Sequence, residues 1–343
     1  RDLHSFPTRR SSDLVTATIL GCPVDPEVDA YCQTREFERI RRWFAGYRTL
    51  FAEVYRLLPN HYLDLQSQRP VRFWPLEARQ SFSPDQVVEE CSAILKGTFA
   101  AAVQRFGKVA LPVSSGLDSR ILLAATRDCV KDVHHFIGRY DAMSMEHPDI
   151  AVPSRLAKKL SIDFRVYDYD PAVMQPHMDA FLRAHSLARR SHLYMCYHYY
   201  PGWPAEINVV ATGNVSEISR DWYRYKSFTL GPRNVTGLLD ISSAFVRRQL
   251  TEWLQATRPI QQRFDYGIRE LLYWEQRLGS WGAIAFVEAD HDHDTLAPFN
   301  CLRYHQLLLG TEFRLRSRKE GSQLFMRMMN LMWPEVLSEP INP

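Results

Sequence analysis

Several things are missing from this 343-residue sequence, and each absence narrows its function. Its six cysteines (22, 32, 91, 129, 196 and 301) are scattered, with no Cys-x-x-Cys pair. That usage excludes a zinc knuckle and predicts a reduced, cytoplasmic protein. No apolar run approaches the roughly 20 residues that cross a bilayer, and no signal-peptide pattern is present, so no membrane partner is expected. An excess of one charge is missing too. The 42 Lys+Arg and 39 Asp+Glu are interspersed and leave a net +3, with no basic tail or stripe. No nucleic-acid partner is therefore expected. What is present is 45% hydrophobic residues, enough for a real core in one large domain or two.

The most informative stretch is Lys108 to Cys129. Lys108–Val113 is a short apolar run, the length of one buried strand. It breaks into Ser114-Ser115-Gly116-Leu117-Asp118-Ser119, and apolar residues at helical spacing resume from Arg120. A strand, a tight loop of small hydroxyl and glycine residues, and a helix start make an anion site. Backbone N–H groups and the positive helix end converge there, with Ser114, Ser115 and Ser119 as added donors. Asp118 would repel a phosphate unless a divalent cation lies between them. The loop is neither a Walker loop, which needs Gly-Lys-Ser/Thr, nor a GxGxxG turn.

The rest of the chain supplies a frame. Phe37–Trp43 is expected to be a short helix, and Arg48–Leu65 an alternating segment ending in turn chemistry at Pro59-Asn60. Ser83-Pro84-Asp85-Gln86 is a capped helix start, followed by Val87, Val88, Cys91, Ile94, Leu95, Thr98 and Ala102 on one face. Val133–Gly138, Phe164–Tyr167 and Glu206–Thr212 are expected strands, with a helix over Asp149–Ile162. Pro153 is tolerable in that helix only within its first turn. Strand alternating with helix predicts an α/β fold, a parallel sheet with helices on both faces, and a helical C-terminal part from about Ser227. His134 and His135 are expected as strand residues. Pro171–Pro204 is expected to be α-helical, with no metal role for His192 or His198. Asp290-His-Asp-His-Asp294 is expected to be an exposed polar loop, because consecutive residues cannot all face one ion.

The loop hexad resembles the Ser-Gly-Gly-x-Asp-Ser pyrophosphate loop of the N-type ATP pyrophosphatases. Within that group the synthetase domain of glutamine-hydrolysing asparagine synthetases is the nearest resemblance. One position departs: Ser115 stands where the family has its first glycine, at a cost of about 1 kcal/mol if φ > 0 is required there. The resemblance extends to Leu57–Leu63 and Arg72–Pro75 before the loop, Ile137-Gly138, Asp149–Ile162, Thr212–Glu217, the Tyr-x3-Arg-x3-Trp pattern around Arg277, Ala297–Asn300 and Pro334–Leu337. The second loop, Thr212-Gly213-Asn214-Val215-Ser216-Glu217, is one residue shorter than the family's, with Val215 and Ser216 in place of flexible or acidic residues.

The resemblance implies an adenine nucleotide α-hydrolase-like, Rossmann-like fold over residues 78–343, with 15–77 as the remnant of an N-terminal glutaminase domain and its linker. It implies ATP and Mg2+ as cofactors. Val113 to Ser119, Ile137, Gly138, Thr212 and Gly213 would bind the nucleotide, and Asp118 and Glu217 the metal. Asp118, Glu217 and Lys319 would be the catalytic residues; Arg314, Arg316, Arg318 and Lys319 fall near the family's phosphate-neutralising lysine, or form a solvated basic turn. Arg277 faces either substrate or solvent. The partners implied are a small-molecule carboxylate, ammonia or another amine, and a glutaminase domain upstream in the same chain. His4–Leu14 resembles the translation of a sequencing-library adapter, so residues 1–14 are set aside as an artefact and the protein is expected to begin upstream. The expected activity is AMP-forming amide synthesis. A β-lactam or peptide-cyclising synthetase and a non-catalytic nucleotide-binding module stand as alternatives.

Overall fold

The structure is a computed structural model that describes residues 20–40, 43, 45–140, 143–170, 172–173, 196–220, 222–223, 230–290, 292–317 and 322–343, without the side chains of 287 and 288. Its described residues divide into two compact units. One takes 20–79 with 230–288, and the other takes 80–173 with 196–223 and 289–343. No described helix is long and apolar enough to cross a membrane.

The second unit is built on a five-stranded, wholly parallel sheet. Helix α1 (Pro84–Phe106) enters it under the expected cap: Ser83 Oγ accepts the Gln86 N–H, and Pro84 takes the first helical position. Gly107, at φ 76, ends the helix where a side chain would be strained. Of the expected face, Val87, Val88, Cys91, Leu95 and Ala102 are buried and Ile94 and Thr98 only half-buried, and Ser92 and Phe99 join it. Strand β1 (Val109–Pro112), helix α2 (Leu117–Ala125), strand β2 (Val133–Arg139), helix α3 (Pro148–Leu160) and strand β3 (Phe164–Asp168) follow in alternation. Strands β4 (Val209–Ala211) and β5 (Asp294–Leu296), then helices α4 (Leu302–Leu309) and α5 (Gln323–Met332), complete the unit. The sheet order is β3-β2-β1-β4-β5. Growth therefore runs one way from β1 to β3 and then restarts on the other side of β1. Such a reversal opens a crevice beyond the carboxyl ends of the two central strands, where open α/β sheets place ligands.

Side-chain alternation puts Ala110, Phe136, Tyr167 and Val210 on one face, where they form one cluster with Tyr197, Tyr200, Trp203 and Ile207. Tyr197 and Trp203 stack at 5.3 Å, and Phe136 meets both edge-on at 4.8 and 4.9 Å. Each such pair adds about 0.5–1.5 kcal/mol beyond area burial. Over the described residues this face is thus covered by an aromatic layer on a short turn; most of the helical region expected over Pro171–Pro204, His192 included, lies outside the described residues. His134 and His135 are strand residues as expected, paired with the Tyr167 hydroxyl (3.0 Å) and Thr126 Oγ1 (3.4 Å).

Two expectations are corrected in this unit. Pro153 lies in the second turn of α3, not the first, and is buried. The helix tolerates it because only one intrahelical bond, to the Asp149 carbonyl, is forgone while the ring packs inward. Of the segment expected as an exposed polar loop, Asp292 and His293 are not exposed. The side chains of Asp292 and His293 are each 1% exposed, and Asp294 opens β5. Asp292 accepts from the His198 backbone N–H and meets the His293 ring at 2.9 Å, with the His198 ring 3.3 Å away. A buried carboxylate with that many donors is a structural brace.

The first unit holds two short helices (Pro26–Cys32 and Arg35–Arg39), an antiparallel hairpin (His61–Asp64 with Arg69–Arg72) and helical segments over 244–289. The helix expected over Phe37–Trp43 is therefore shorter and earlier. Its node is Glu275, fully buried in a wide π-helical turn, Tyr273–Gly282. Both its oxygens are used: Arg72 (2.5 and 2.8 Å), Asn60 Nδ2 (3.1 Å) and Trp253 Nε1 (2.8 Å) all donate to it. Arg277, two residues on, lies over the rings of Trp43 and Trp281.

Candidate functional site

The loop after β1 continues the ladder for one residue, Val113 N–H donating to the Phe136 carbonyl. It then closes on its own hydroxyls. Ser114 N–H donates to Ser119 Oγ (3.1 Å), the two hydroxyls meet at 3.0 Å, and Gly116 N–H donates to Ser114 Oγ (3.1 Å). Helix α2 starts at Leu117 with no side-chain cap hydrogen bond, and Asp118 is the acidic residue of its first turn. Ser115 is not among the residues with positive φ, so the strain expected of a serine at that position is not incurred. Its N–H and hydroxyl both donate to Asp149 Oδ1 (3.0 and 2.6 Å), a partner that sequence reading did not connect to the loop.

The loop after β4 packs directly against the first. A Cβ on Gly213 would stand 3.1 Å from Asp118 Cβ, so glycine permits the approach. Val215 holds φ 85, a left-handed conformation that a β-branched residue rarely adopts, and the single turn Ser216–Ser219 follows. This geometry brings Ser216 Oγ to Asp118 Oδ1 (2.6 Å) and the Arg220 guanidinium to Asp118 Oδ2 (2.6 Å). Arg316 Nη1 donates to the Ser219 carbonyl (3.2 Å), and the Ser219 hydroxyl meets His305 Nδ1 (3.3 Å). Burial holds His305 neutral, its pKa pushed down to about 3.

Glu217 is 8% exposed, and its Oε2 has no hydrogen-bond partner. Burial first, and then the negative charge of Asp118, push its pKa up to about 7. An orphaned carboxylate oxygen beside a second carboxylate is a place that a cation would stabilise. No group of three or more His, Cys, Asp or Glu suited to a metal occurs among the described residues. Magnesium asks less of a protein than that, taking one or two carboxylates and completing its shell with water and phosphate oxygens. Asp118 and Glu217 fit that pattern.

A third segment, residues 336–342, packs on the first loop and the start of α2. Arg120, fully buried at the start of α2, donates to the carbonyls of Val336 (2.6 Å), Glu339 (3.1 Å) and Pro340 (3.1 Å). Burial pulls its pKa down to about 10, still far above neutrality. Glu339 is held by Arg155 (2.8 Å) and Lys159 (2.7 Å), and Asn342 N–H donates to the Ser115 carbonyl (3.0 Å).

Of the residues expected at a site, Val113 to Ser119 and Thr212, Gly213 and Glu217 lie on two loops that meet at Asp118. Ile137 and Gly138 lie on the neighbouring strand β2, but the Tyr200 hydroxyl stands 3.0 Å from where a Gly138 Cβ would be, covering that face. Lys319 and Arg318 lie outside the described residues. Among the described residues of that region, Arg316 reaches the second loop. Asp149, Arg120, Arg220 and Asn342 complete the surroundings of the loop and were not expected there. Compared with models of known protein families the chain matches none, and no curated protein matches it.

Proposed function

We propose that this chain is an ATP-dependent, AMP-forming amide-bond synthetase resembling the synthetase domain of asparagine synthetases, on an adenine nucleotide α-hydrolase-like version of the Rossmann-like sheet. One observation carries the reading: two carboxylate-bearing loops, at Asp118 and Glu217, end the two central parallel strands side by side at the sheet's reversal. In this reading the substrate's carboxylate oxygen attacks the α-phosphorus of ATP and pyrophosphate leaves. Ammonia or another amine then attacks the acyl carbon of the adenylate, and AMP leaves.

The chain's residues bind and orient. The uncapped start of α2 and the hydroxyls of Ser114 and Ser119 take the β- and γ-phosphates, a charge-assisted role that needs no covalent step. Asp118 and Glu217 would hold Mg2+, which when bound screens the pyrophosphate charge. Gly213 keeps the two loops within contact, and the Arg120 contacts with the 336–340 carbonyls keep the first loop in place. Catalysis is then positioning and electrostatics.

The direct test is carboxylate-dependent exchange of labelled pyrophosphate into ATP across a panel of amino and hydroxy acids. Exchange with one acid, reduced at least a thousandfold by Asp118→Ala, supports the reading. A binding-only role is favoured by the engagement of both Asp118 oxygens by Ser216 and Arg220. Nucleotide binding without exchange would select it.

A further inference from the structure

Around the point where a Cβ on Gly116 would stand lie Ser114 Oγ (3.1 Å), Asn342 Oδ1 (3.7 Å) and Ser119 Oγ (4.0 Å). Gly116 has φ −71, so its backbone does not require glycine; what the missing side chain leaves is space, ringed by polar groups. Two of those groups are the loop's own hydroxyls. The third is brought from far along the chain. Asn342 is fixed there by its backbone: its N–H donates to the Ser115 carbonyl (3.0 Å), and its φ of 49 is a left-handed conformation that asparagine tolerates better than most residues. Among the described residues no hydrogen bond engages its side-chain amide, and the residue is exposed. The segment that delivers it is pinned on two sides. Fully buried Arg120 donates to the carbonyls of Val336, Glu339 and Pro340, and the Glu339 carboxylate accepts from Arg155 (2.8 Å) and Lys159 (2.7 Å). A buried guanidinium is costly unless acceptors surround it, so residues 336–340 have one path past the loop. That path sets the Asn342 amide beside Ser114 and Ser119.

We propose that Asn342 is a phosphate-binding residue of this site: its side-chain amide donates to the β- or γ-phosphate oxygens of a ligand held on Ser114 and Ser119. The inference deepens the nucleotide reading and rests on it. Its chemistry follows from the side chain. An amide carries an acceptor and two donors on one planar group, and a half-turn about its last side-chain bond exchanges Oδ1 for Nδ2. Facing a phosphate, it turns the N–H groups toward the ligand, because a bond to a charged acceptor is roughly twice as strong as one to a neutral acceptor. The Ser114 and Ser119 hydroxyls and the Asn342 amide then ring the space that Gly116 leaves open. Arg120 has a different part: it orders the segment and touches no ligand, which makes it a positioning residue.

The full chain tests this by calorimetric titration with Mg·pyrophosphate, Mg·ATP and AMP. Asn342→Gly removes the amide, suits the left-handed backbone and keeps the N–H that donates to the Ser115 carbonyl. Asn342→Asp keeps the shape and puts a negative charge where the donor stood. Affinity for pyrophosphate and ATP should fall about tenfold in Asn342→Gly, the loss expected for one hydrogen bond to a charged group, and further in Asn342→Asp. AMP lacks the β- and γ-phosphates and should bind both variants within about twofold of the wild type. Pyrophosphate and ATP affinities within about twofold of the wild type in both variants overturn the proposal. An equal loss for AMP also overturns it, because it would mark a general loosening of the loop. Where AMP binds too weakly to measure, pyrophosphate decides alone. A wild type that binds neither pyrophosphate nor ATP sinks the nucleotide reading itself.

Discussion

Glu217 shows what burial does to one residue. Its carboxyl is desolvated and faces Asp118, so the native state holds the proton up to a pH of about 7, against a usual 4.5. The sign follows from linkage. Below about pH 4.5 both folded and unfolded chains carry the proton and the contribution is full. As pH rises through 7 the folded chain must give it up at a cost, and the contribution is lost. We expect the urea stability of the wild type, minus that of Glu217→Gln, to fall between pH 5 and pH 8 by an amount on the order of 3 kcal/mol at most. A flat difference would show that Glu217 is solvated or already paired. That Asp118 and the serines lie on a loop between a strand and a helix was legible in the sequence, because an apolar run ends before them and helical spacing resumes after them. Their partners were not. Asp149 stands 34 residues from Ser115, Ser216 stands 98 from Asp118 and Arg220 stands 102 from it, and no local spacing signals such pairs.

At the scale of elements, two loops and one terminal segment depend on close packing. Gly213→Ala would push a methyl against Asp118, and the loops must part to admit it. About 1–3 kcal/mol of stability should be lost in urea titration, together with most nucleotide affinity. Val215 is a balance of two effects of similar size. Relief of its left-handed backbone is worth about 1–2 kcal/mol, and its buried side chain about 2 kcal/mol. Val215→Gly should therefore be less destabilising than Val215→Ala, which loses the burial and keeps the strain; the reverse order in thermal melts would refute this. Arg120→Met leaves the carbonyls of Val336, Glu339 and Pro340 without a donor, an expected loss of about 2–4 kcal/mol. Hydrogen exchange at Ser115 to Leu117 should rise with it. Helix α1 and strand β2 were readable from a serine-proline cap and an apolar run, both local signals. Strand β5 was hidden in a run of aspartates and histidines, because its pairing with β4 and the burial of Asp292 depend on residues 80 to 100 positions away.

For the whole molecule, alternation of strand and helix made a parallel sheet legible. The order of strands was not, since the return of the chain to the far side of β1 is fixed by packing that no repeat in the sequence records. Nor could local pattern show that residues 20–79 pack with 230–288 through Glu275, whose partners lie 22, 203 and 215 residues away. Replacing Glu275 by Gln leaves Arg72 and Trp253 sharing a neutral acceptor in a dry site, and should cost that unit about 2–4 kcal/mol. Because the proposed site lies within the other unit, that unit's fold and loops are where the central claim stands or falls. Calorimetric titration of Mg·ATP into the wild type and Asp118→Ala tests it most directly. A micromolar-range exotherm in the wild type, abolished by the substitution, is the predicted result, and equal heats or none from both proteins would contradict it.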